Sequence, residues 1–416
     1  TLWLISLMKF ELSNKQREYL GLDPVPTTWD NATLKGDTYR PDSIIYFDGD
    51  TLKRHIVSTE NEYKETQYNE LTRDRKILLP KTEKGKEKKL TASVLETKTP
   101  IGVYFAADKS GSICIGSHTT QTTFYSSNWS RKKKGEQAEV GIEKSIETFI
   151  SESPKSHFDE IKDFKNAKRK NVKYRAGDVF AFKISRTEYG FGRILLDINL
   201  LRKKKLVPEN HGLFNIMGPP LLVTIYAFTS TAKNIDINSI VDKPRLPSDI
   251  MMDNHLYYGE YEIIGHLALS ESEFEFPISY GHRLDSIPNV FLQWGLIHLE
   301  KPRKTFDKYL KGENLNFPPG NPSRLVDNPF GYYGVGFSHR YDTNDIKNTI
   351  ESNGQFQYDK SSYYGSQFDL RNPVNSQIRT DILKAFGLKS NASYDENREL
   401  TKTTKTTDLI KRLEKE

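Results

Sequence analysis

Two runs near the middle of the chain restrict its fold more than any other feature. Asp178-Val-Phe-Ala-Phe-Lys-Ile184 and Tyr189-Gly-Phe-Gly-Arg-Ile-Leu-Leu196 are rich in β-branched and aromatic residues, and Ser185 to Glu188 form a connection of hairpin length. Successive residues of a strand point to opposite faces. Phe180, Phe182 and Ile184 therefore share one face of the first strand, and Tyr189, Phe191 and Arg193 share one face of the second. Aromatic residues alternating beside an arginine also suit the stacking of bases by an RNA-recognition sheet. Two apolar faces are what a packed sheet needs, and core is the expectation here.

The flanking sequence carries similar signals. Ser13 to Leu20 predicts a short helix with Ser13 as its cap and Gly21 as its stop. Ile44 to Phe47, followed by Asp48-Gly49, predicts a hairpin with a type I′ turn and a return strand from Leu52 to Val57. Further strands are expected over Leu90–Glu96, Ile101–Phe105, Ser112–Gly116 and Thr119–Tyr125. The apolar spacing of Ile142, Ile146, Phe149 and Ile150 marks a helix within 136–151, and Phe158, Ile161 and Phe164 mark another over 158–168. Leu221–Thr229 reads as an interior strand, with Tyr261–Leu267 and Val290–Leu299 completing its sheet. Beyond Pro302, Pro318-Pro-Gly-Asn-Pro322 and Asn328-Pro-Phe-Gly331 indicate irregular structure. A helix follows over Ile378–Phe386, stopped by Gly387, and a small charged one begins near Thr406. The expected class is α+β: mainly antiparallel sheet in two β-rich regions, with bridging helices. The expected divisions are an N-terminal β-rich domain over 8–135, a helical linker over 136–172, a β domain over 173–302 and an irregular region with short helices over 303–416.

Aromatics make up 12% of the 416 residues, enough for a core although only 36% of the chain is hydrophobic and 28% is charged. The single cysteine, Cys114, excludes an internal disulfide framework and a cysteine-rich zinc cluster. No apolar run approaches the roughly 20 residues that span a bilayer. The apolar opening Thr1 to Met8 lacks a basic start and a small-residue cleavage site, so it does not read as a signal peptide. Met8-Lys-Phe-Glu-Leu reads as a natural start after a seven-residue extension, and the cytoplasm is the expected location. The net charge of +6 permits contact with nucleic acid without requiring it. The basic runs Arg131–Lys134, Lys168–Lys170 and Arg202–Lys205 are short and read as solvated loops, with weak, nonspecific nucleic-acid binding at most.

No catalytic, cofactor or metal-ligating residue is expected. Gly190-Phe-Gly192 is too short for a dinucleotide fingerprint and reads as a bulge or a close backbone approach. His282-Arg-Leu-Asp285 has the wrong order for a kinase catalytic loop. The nine histidines show no metal-ligand spacing, and Cys114 and His118 lie in strand or turn context where they would not face one another. Glu271, Glu273 and Glu275 alternate with Phe274 and Phe276, which predicts a strand with a solvated acidic face opposite a core face.

Lys173-Tyr-Arg-Ala-Gly-Asp-Val-Phe-Ala-Phe-Lys-Ile184, with Tyr189-Gly-Phe-Gly-Arg-Ile194, resembles the opening of the immunity protein 26 family. The resemblance extends in style through Leu221 and Trp294-Gly-Leu296, over roughly 173–302. It implies an immunity protein of a bacterial polymorphic toxin system, which binds and blocks its cognate toxin without catalysis. Met8 to Leu22 is similar to the start of an uncharacterised bacterial family, which implies no mechanism. Asp178, Arg193, Glu271, Glu273 and Glu275 are the candidate partner-binding residues; Arg193 either pairs with Asp178 or reaches the partner. A chain at +6 is poorly matched to a strongly basic toxin. A neutral or acidic toxin is expected, or contact through the acidic stretch 271–275. The alternatives are a nucleic-acid-binding or nucleic-acid-processing protein using the basic loops, and an enzyme whose site is assembled from distant residues.

Overall fold

Ser13 begins the first helix as its sequence predicts. Its hydroxyl accepts from the Gln16 N–H while the Gln16 side chain returns to the Ser13 N–H, and this reciprocal cap starts α1, Asn14–Tyr19. Gly21 then turns the chain out at φ +73°. The computed structural model describes residues 10–80, 82–130, 140–216, 218–282, 289–302, 312–313, 325–326, 342–358 and 370–415. Met8, Arg131–Lys134, Arg283–Asp285, Pro318–Pro322 and Asn328–Gly331 lie outside those residues. The fold is α+β with antiparallel sheets, in two units: one ends at residue 172 and includes 258–260, and the other takes 173–257 and 261 onward.

The first unit is built on strands β1 Asp30–Leu34, β2 Ser43–Asp48, β3 Thr51–Ser58 and β4 Glu62–Arg73. After the two-residue strands β5 Ile77–Leu78 and β6 Lys88–Lys89 and the short helix α2 Ala92–Leu95 come β7 Ile101–Asp108, β8 Ile113–Ser117 and β9 Thr122–Ser126. The sheet order is β1-β2-β3-β4-β7-β8-β9, with β5 and β6 extending from β4. The expected β2–β3 hairpin forms with a different turn. Asp48 pairs with Thr51, so the loop residues are Gly49 and Asp50, and only Gly49 has positive φ; a type I′ turn needs both. The strand expected over Leu90–Glu96 is instead α2, because the Thr91 hydroxyl accepts from the Val94 N–H and caps a helical turn. The helices expected within 136–151 and 158–168 are α3 Ile142–Ser151 and α4 His157–Asn166, which bury Ile146, Phe149 and Ile161 against Tyr63, Phe105 and Ile115 of the sheet.

A buried charge cluster ties α1 to this sheet. Glu65 has no exposed surface; its Oε1 accepts from Arg17 Nε at 2.8 Å and from Arg54 Nη1 at 3.0 Å. Its Oε2 accepts from the Tyr63 hydroxyl at 2.6 Å. Burial, reinforced by the Glu65 charge, holds that phenol well above its usual range, so it remains an O–H donor. Arg17 also pairs with Glu11 at 2.8 Å, so two carboxylates balance two guanidinium groups.

The second unit opens with the hairpin β10 Asp178–Lys183 and β11 Tyr189–Asp197, followed by α5 Ile198–Lys203. Strands β12 Pro220–Ser230 and β13 Asp249–Met252, helix α6 Asn254–Tyr257 and strand β14 Glu262–His266 complete a sheet of order β13-β12-β11-β10-β14. The single strand expected over Val290–Leu299 is two, β16 Asn289–Trp294 and β17 Ile297–Pro302, which turn at Gly295 with φ +58°. With β15 Ile278–His282 they form a separate three-stranded sheet and do not join β10–β14. The described C-terminal part adds α7 Thr343–Glu351, α8 Ser376–Ala385, α9 Tyr394–Leu400 and α10 Thr406–Lys415. Of these, α7 and α9 were not expected. Arg202 and Lys203 close α5, so that basic run is not wholly a loop; Arg202 donates to the carbonyls of Leu213, Ile216 and Gly218.

Glu65→Gln leaves two buried guanidinium groups without a full counter-charge. It should lower the stability of the first unit by about 3–5 kcal/mol, the usual cost of breaking a buried pair, read as an earlier urea transition in the full chain.

Candidate functional site

Both faces of the β10–β11 hairpin are buried, and glycine is what lets them pack. Across the pair, Phe180 faces Gly192 and Phe182 faces Gly190. A Cβ on Gly190 would stand 2.8 Å from Phe182 Cζ, and one on Gly192 would collide with the Phe180 ring and come within 2.9 Å of Ile225. Each glycine thus makes room for an aromatic ring on the neighbouring strand. The pairing of β11 with β12 shifts register between Gly190 and Gly192, the bulge expected from the sequence. On this side Phe180, Phe182 and Ile184 pack with Ile194, Val223 and Ile225. On the other, Phe191 packs with Val179, Ala181 and Tyr226. Phe191 has no exposed surface, so it is core and not a stacking platform.

Arg193 follows on the Phe191 side and is also without exposed surface. Its partner is Glu273, not Asp178: Nη1 pairs with the Glu273 carboxylate, and Nη2 donates to the carbonyls of Leu267 at 2.8 Å and Ala268 at 3.0 Å. The Tyr226 phenol lies close enough that the Arg193 charge opposes the upward push of burial on its pKa. Asp178 is held separately. Its carboxylate accepts from the Arg175 N–H at 2.9 Å and meets His266 Nδ1 at 2.8 Å. Gly177, at φ +92°, permits this, since a Cβ there would lie 2.8 Å from His266 Cε1.

The acidic stretch is not a strand. Ser270 and Glu273 cap each other reciprocally and start a single 3-10 turn over Glu271–Glu273, which directs the three carboxylates to three different elements. Glu271 accepts from the N–H groups of Thr406 and Thr407, both at 3.1 Å, at the start of α10. Glu273 holds Arg193, and Glu275 pairs with Arg371 at 3.3 Å while 53% of its side chain stays exposed. Phe274 and Phe276 enter the same core as Leu409 and Ile410 of α10. Sequence reasoning placed these glutamates on one solvated face; the structure makes them a clasp.

Histidines scattered in the sequence also meet. The rings of His211 and His298 are 5.1 Å apart. His298 Nδ1 lies 2.7 Å from Gln293 Oε1 and Nε2 lies 3.1 Å from Glu300. His211 accepts from the Leu213 N–H and has Nε2 3.1 Å from the Leu296 carbonyl, so both ring nitrogens are satisfied in the neutral form. Burial pushes its pKa down to about 4. Among the described residues, no group of three or more His, Cys, Asp or Glu is placed to hold a metal ion. Cys114 lies 3.8 Å from the Tyr104 hydroxyl, and burial raises its thiol pKa. In the first unit, a cleft of about 840 Å³ between α1 and α4 has Leu22, Phe158 and Ile161 among its lining. Its rim mixes Lys15 and Lys162 with Glu18 and Asp159, which favours no ligand charge.

The class this geometry defines is a small antiparallel sheet module whose charged signature residues brace the module itself. Residues 175–287 match the model of the immunity protein 26 family. The match is to a segment of the chain and ends before Trp294-Gly-Leu296. No curated protein and no solved structure matches the chain. No helix among the described residues is long and apolar enough to cross a membrane.

Two measurements probe this packing. Gly192→Ala should cost about 1–3 kcal/mol through overpacking, and markedly less in a Phe180→Ala background; equal costs in both would mean that the ring is not what excludes the methyl group. The second is pH. The unfolded chain protonates His211 near 6.5, while the folded chain keeps it neutral to about 4. Stability present at pH 7 is therefore lost as pH falls, by about 2 kcal/mol from this group between pH 6.5 and 5. His211→Gln should be less stable at pH 7 but show a flatter decline over that window.

Proposed function

We propose that the chain is an immunity protein that binds a cognate protein toxin and neutralises it by non-covalent contact. The observation that carries this reading is the family match over 175–287, the stretch containing the whole five-stranded sheet and the glutamate clasp. In this reading the 173–302 module makes the contact, in the cytoplasm of a toxin-producing bacterium, and the protein acts by binding and not as an enzyme. Arg193 and Asp178 serve from inside: they fix the segment 267–275 against the sheet. Glu275, the most exposed of the three clasp carboxylates, is the one best placed to meet a partner. A chain carrying +6, with its acidic stretch engaged internally, suits a neutral or acidic toxin better than a strongly basic one.

The nucleic-acid reading has less support. Phe191 is buried, and Arg202 is committed to backbone carbonyls. Lys168–Lys170 and Lys203–Lys205 are exposed, so weak binding that disappears at physiological salt is the expectation.

The test uses the toxin encoded beside this gene. The full chain should bind it with sub-micromolar affinity and protect cells producing it; failure of both removes the reading. Arg193→Ala should melt earlier by several degrees, with protection falling in step. Glu275→Ala removes the exposed carboxylate of a pair whose Arg371 guanidinium is buried but keeps its bonds to Ser248, at a cost of about 1–2 kcal/mol. It should melt only slightly earlier and lose far more protection than Arg193→Ala does for the same loss of melting temperature, and full protection would place the contact elsewhere.

A further inference from the structure

The first unit carries an aromatic side chain that its own fold leaves unused. Tyr39 is 90% exposed, the most exposed of the large hydrophobic residues identified at the surface. It sits in the loop between β1 and β2, and that loop is fixed by a dense set of bonds. Asp37 and Arg40 exchange backbone hydrogen bonds at 2.9 and 3.3 Å across the tip. The Asp37 carboxylate accepts from Tyr39's own N–H at 2.9 Å and pairs with Arg40 at 2.8 Å. Arg40 reaches on to Glu96 at 2.6 Å. At the base, Asp42 accepts from the Gly36 N–H at 2.8 Å and from Lys35 Nζ at 2.7 Å. Gly36 is required there, because a Cβ would collide with the Arg40 carbonyl.

This arrangement is that of a presented anchor. A tyrosine on a rigid support supplies contact area at low entropic cost on binding, and tyrosines are enriched among residues that dominate protein interfaces. The charges around it are matched within the unit: Lys35 with Asp42, and Arg40 with Asp37 and Glu96. A phosphate backbone or an anionic lipid surface finds no unpaired cation among these residues. An apolar, ring-sized socket on a folded protein fits both the side chain and its collar of internally paired charges.

We propose that Tyr39 inserts into such a socket on the cognate toxin, giving the N-terminal unit a contact of its own. The proposal rests on the immunity reading, and its test separates the two. Affinity for the neighbouring toxin is measured by calorimetry for the full chain, for Tyr39→Ala and for Tyr39→Phe, with melting temperatures alongside. Tyr39→Ala should bind at least about 30-fold more weakly at unchanged melting temperature, as expected of an interface hot spot. Tyr39→Phe, which keeps the ring, should stay within about fivefold of the wild type. Gly36→Ala, which displaces the tip but retains the tyrosine, should weaken binding too. A wild-type chain that does not bind overturns both readings. Tight wild-type binding that Tyr39→Ala leaves unchanged overturns this one alone, and so does Tyr39→Phe failing as badly as Tyr39→Ala, since an apolar socket would accept it. A Tyr39→Ala change that alters only self-association of the chain also overturns it.

Discussion

A guanidinium group without exposed surface remains charged inside a sheet only if a carboxylate and several carbonyls are brought to it, because desolvating an ion costs several kcal/mol. Arg193 imposes that requirement on the second unit. It takes Glu273 and the carbonyls of Leu267 and Ala268, and much of the surrounding chain path follows. Strand β14 ends at His266, where the next two carbonyls turn toward Arg193. The chain then tightens into the turn that presents Glu271 to α10 and Glu275 to Arg371. A substitution at Arg193 is therefore felt in three elements.

The same residue helps set the register of the hairpin. Because side chains alternate along a strand, a slip of one residue would exchange the faces of β11. It would drive Arg193 into the apolar layer of Phe180, Phe182 and Ile225 and set glycines against the face where Glu273 waits. The two glycines oppose the same slip from the other side, since only they leave room for the Phe180 and Phe182 rings. Bulge, aromatic rings and arginine all specify a single pairing.

Much of this was legible. The period-two runs located β10 and β11, the apolar run over Leu221–Thr229 located β12, and Ser13 marked α1, because these signals are local and unopposed. Several differences between sequence and structure share one cause, in that a side-chain cap outweighs the hydrophobic pattern around it. Thr91 capped α2 in what resembled a strand. Ser270 with Glu273, Asp342 with Asp345 and Ser393 with Glu396 each cap a helical turn that was not expected, although that spacing is visible in the sequence. Gly295 could have divided the run over 290–299, but its apolar content is as compatible with one strand as with two. The partner of Arg193 was of another kind. Glu273 lies 80 residues away among many carboxylates, and no local pattern selects it. Asp178, near in sequence, was the natural guess and is occupied by His266 instead.

The clasp also changes what its glutamates can offer a partner. Glu271 and Glu273 satisfy internal donors, so using either at an interface would uncover helix N–H groups or a buried guanidinium, at a cost that the new contact must exceed. Glu275 faces a smaller penalty, since its own side chain is half exposed and its buried partner Arg371 also donates to the Ser248 carbonyl. The segment that carries it is already fixed by Arg193 on one side and by Phe274 and Phe276 in the core. A partner meeting Glu275 would have little chain to order on binding, which removes one of the main costs of association. The residues that brace this segment would thereby favour a rigid, narrow contact over a broad acidic face.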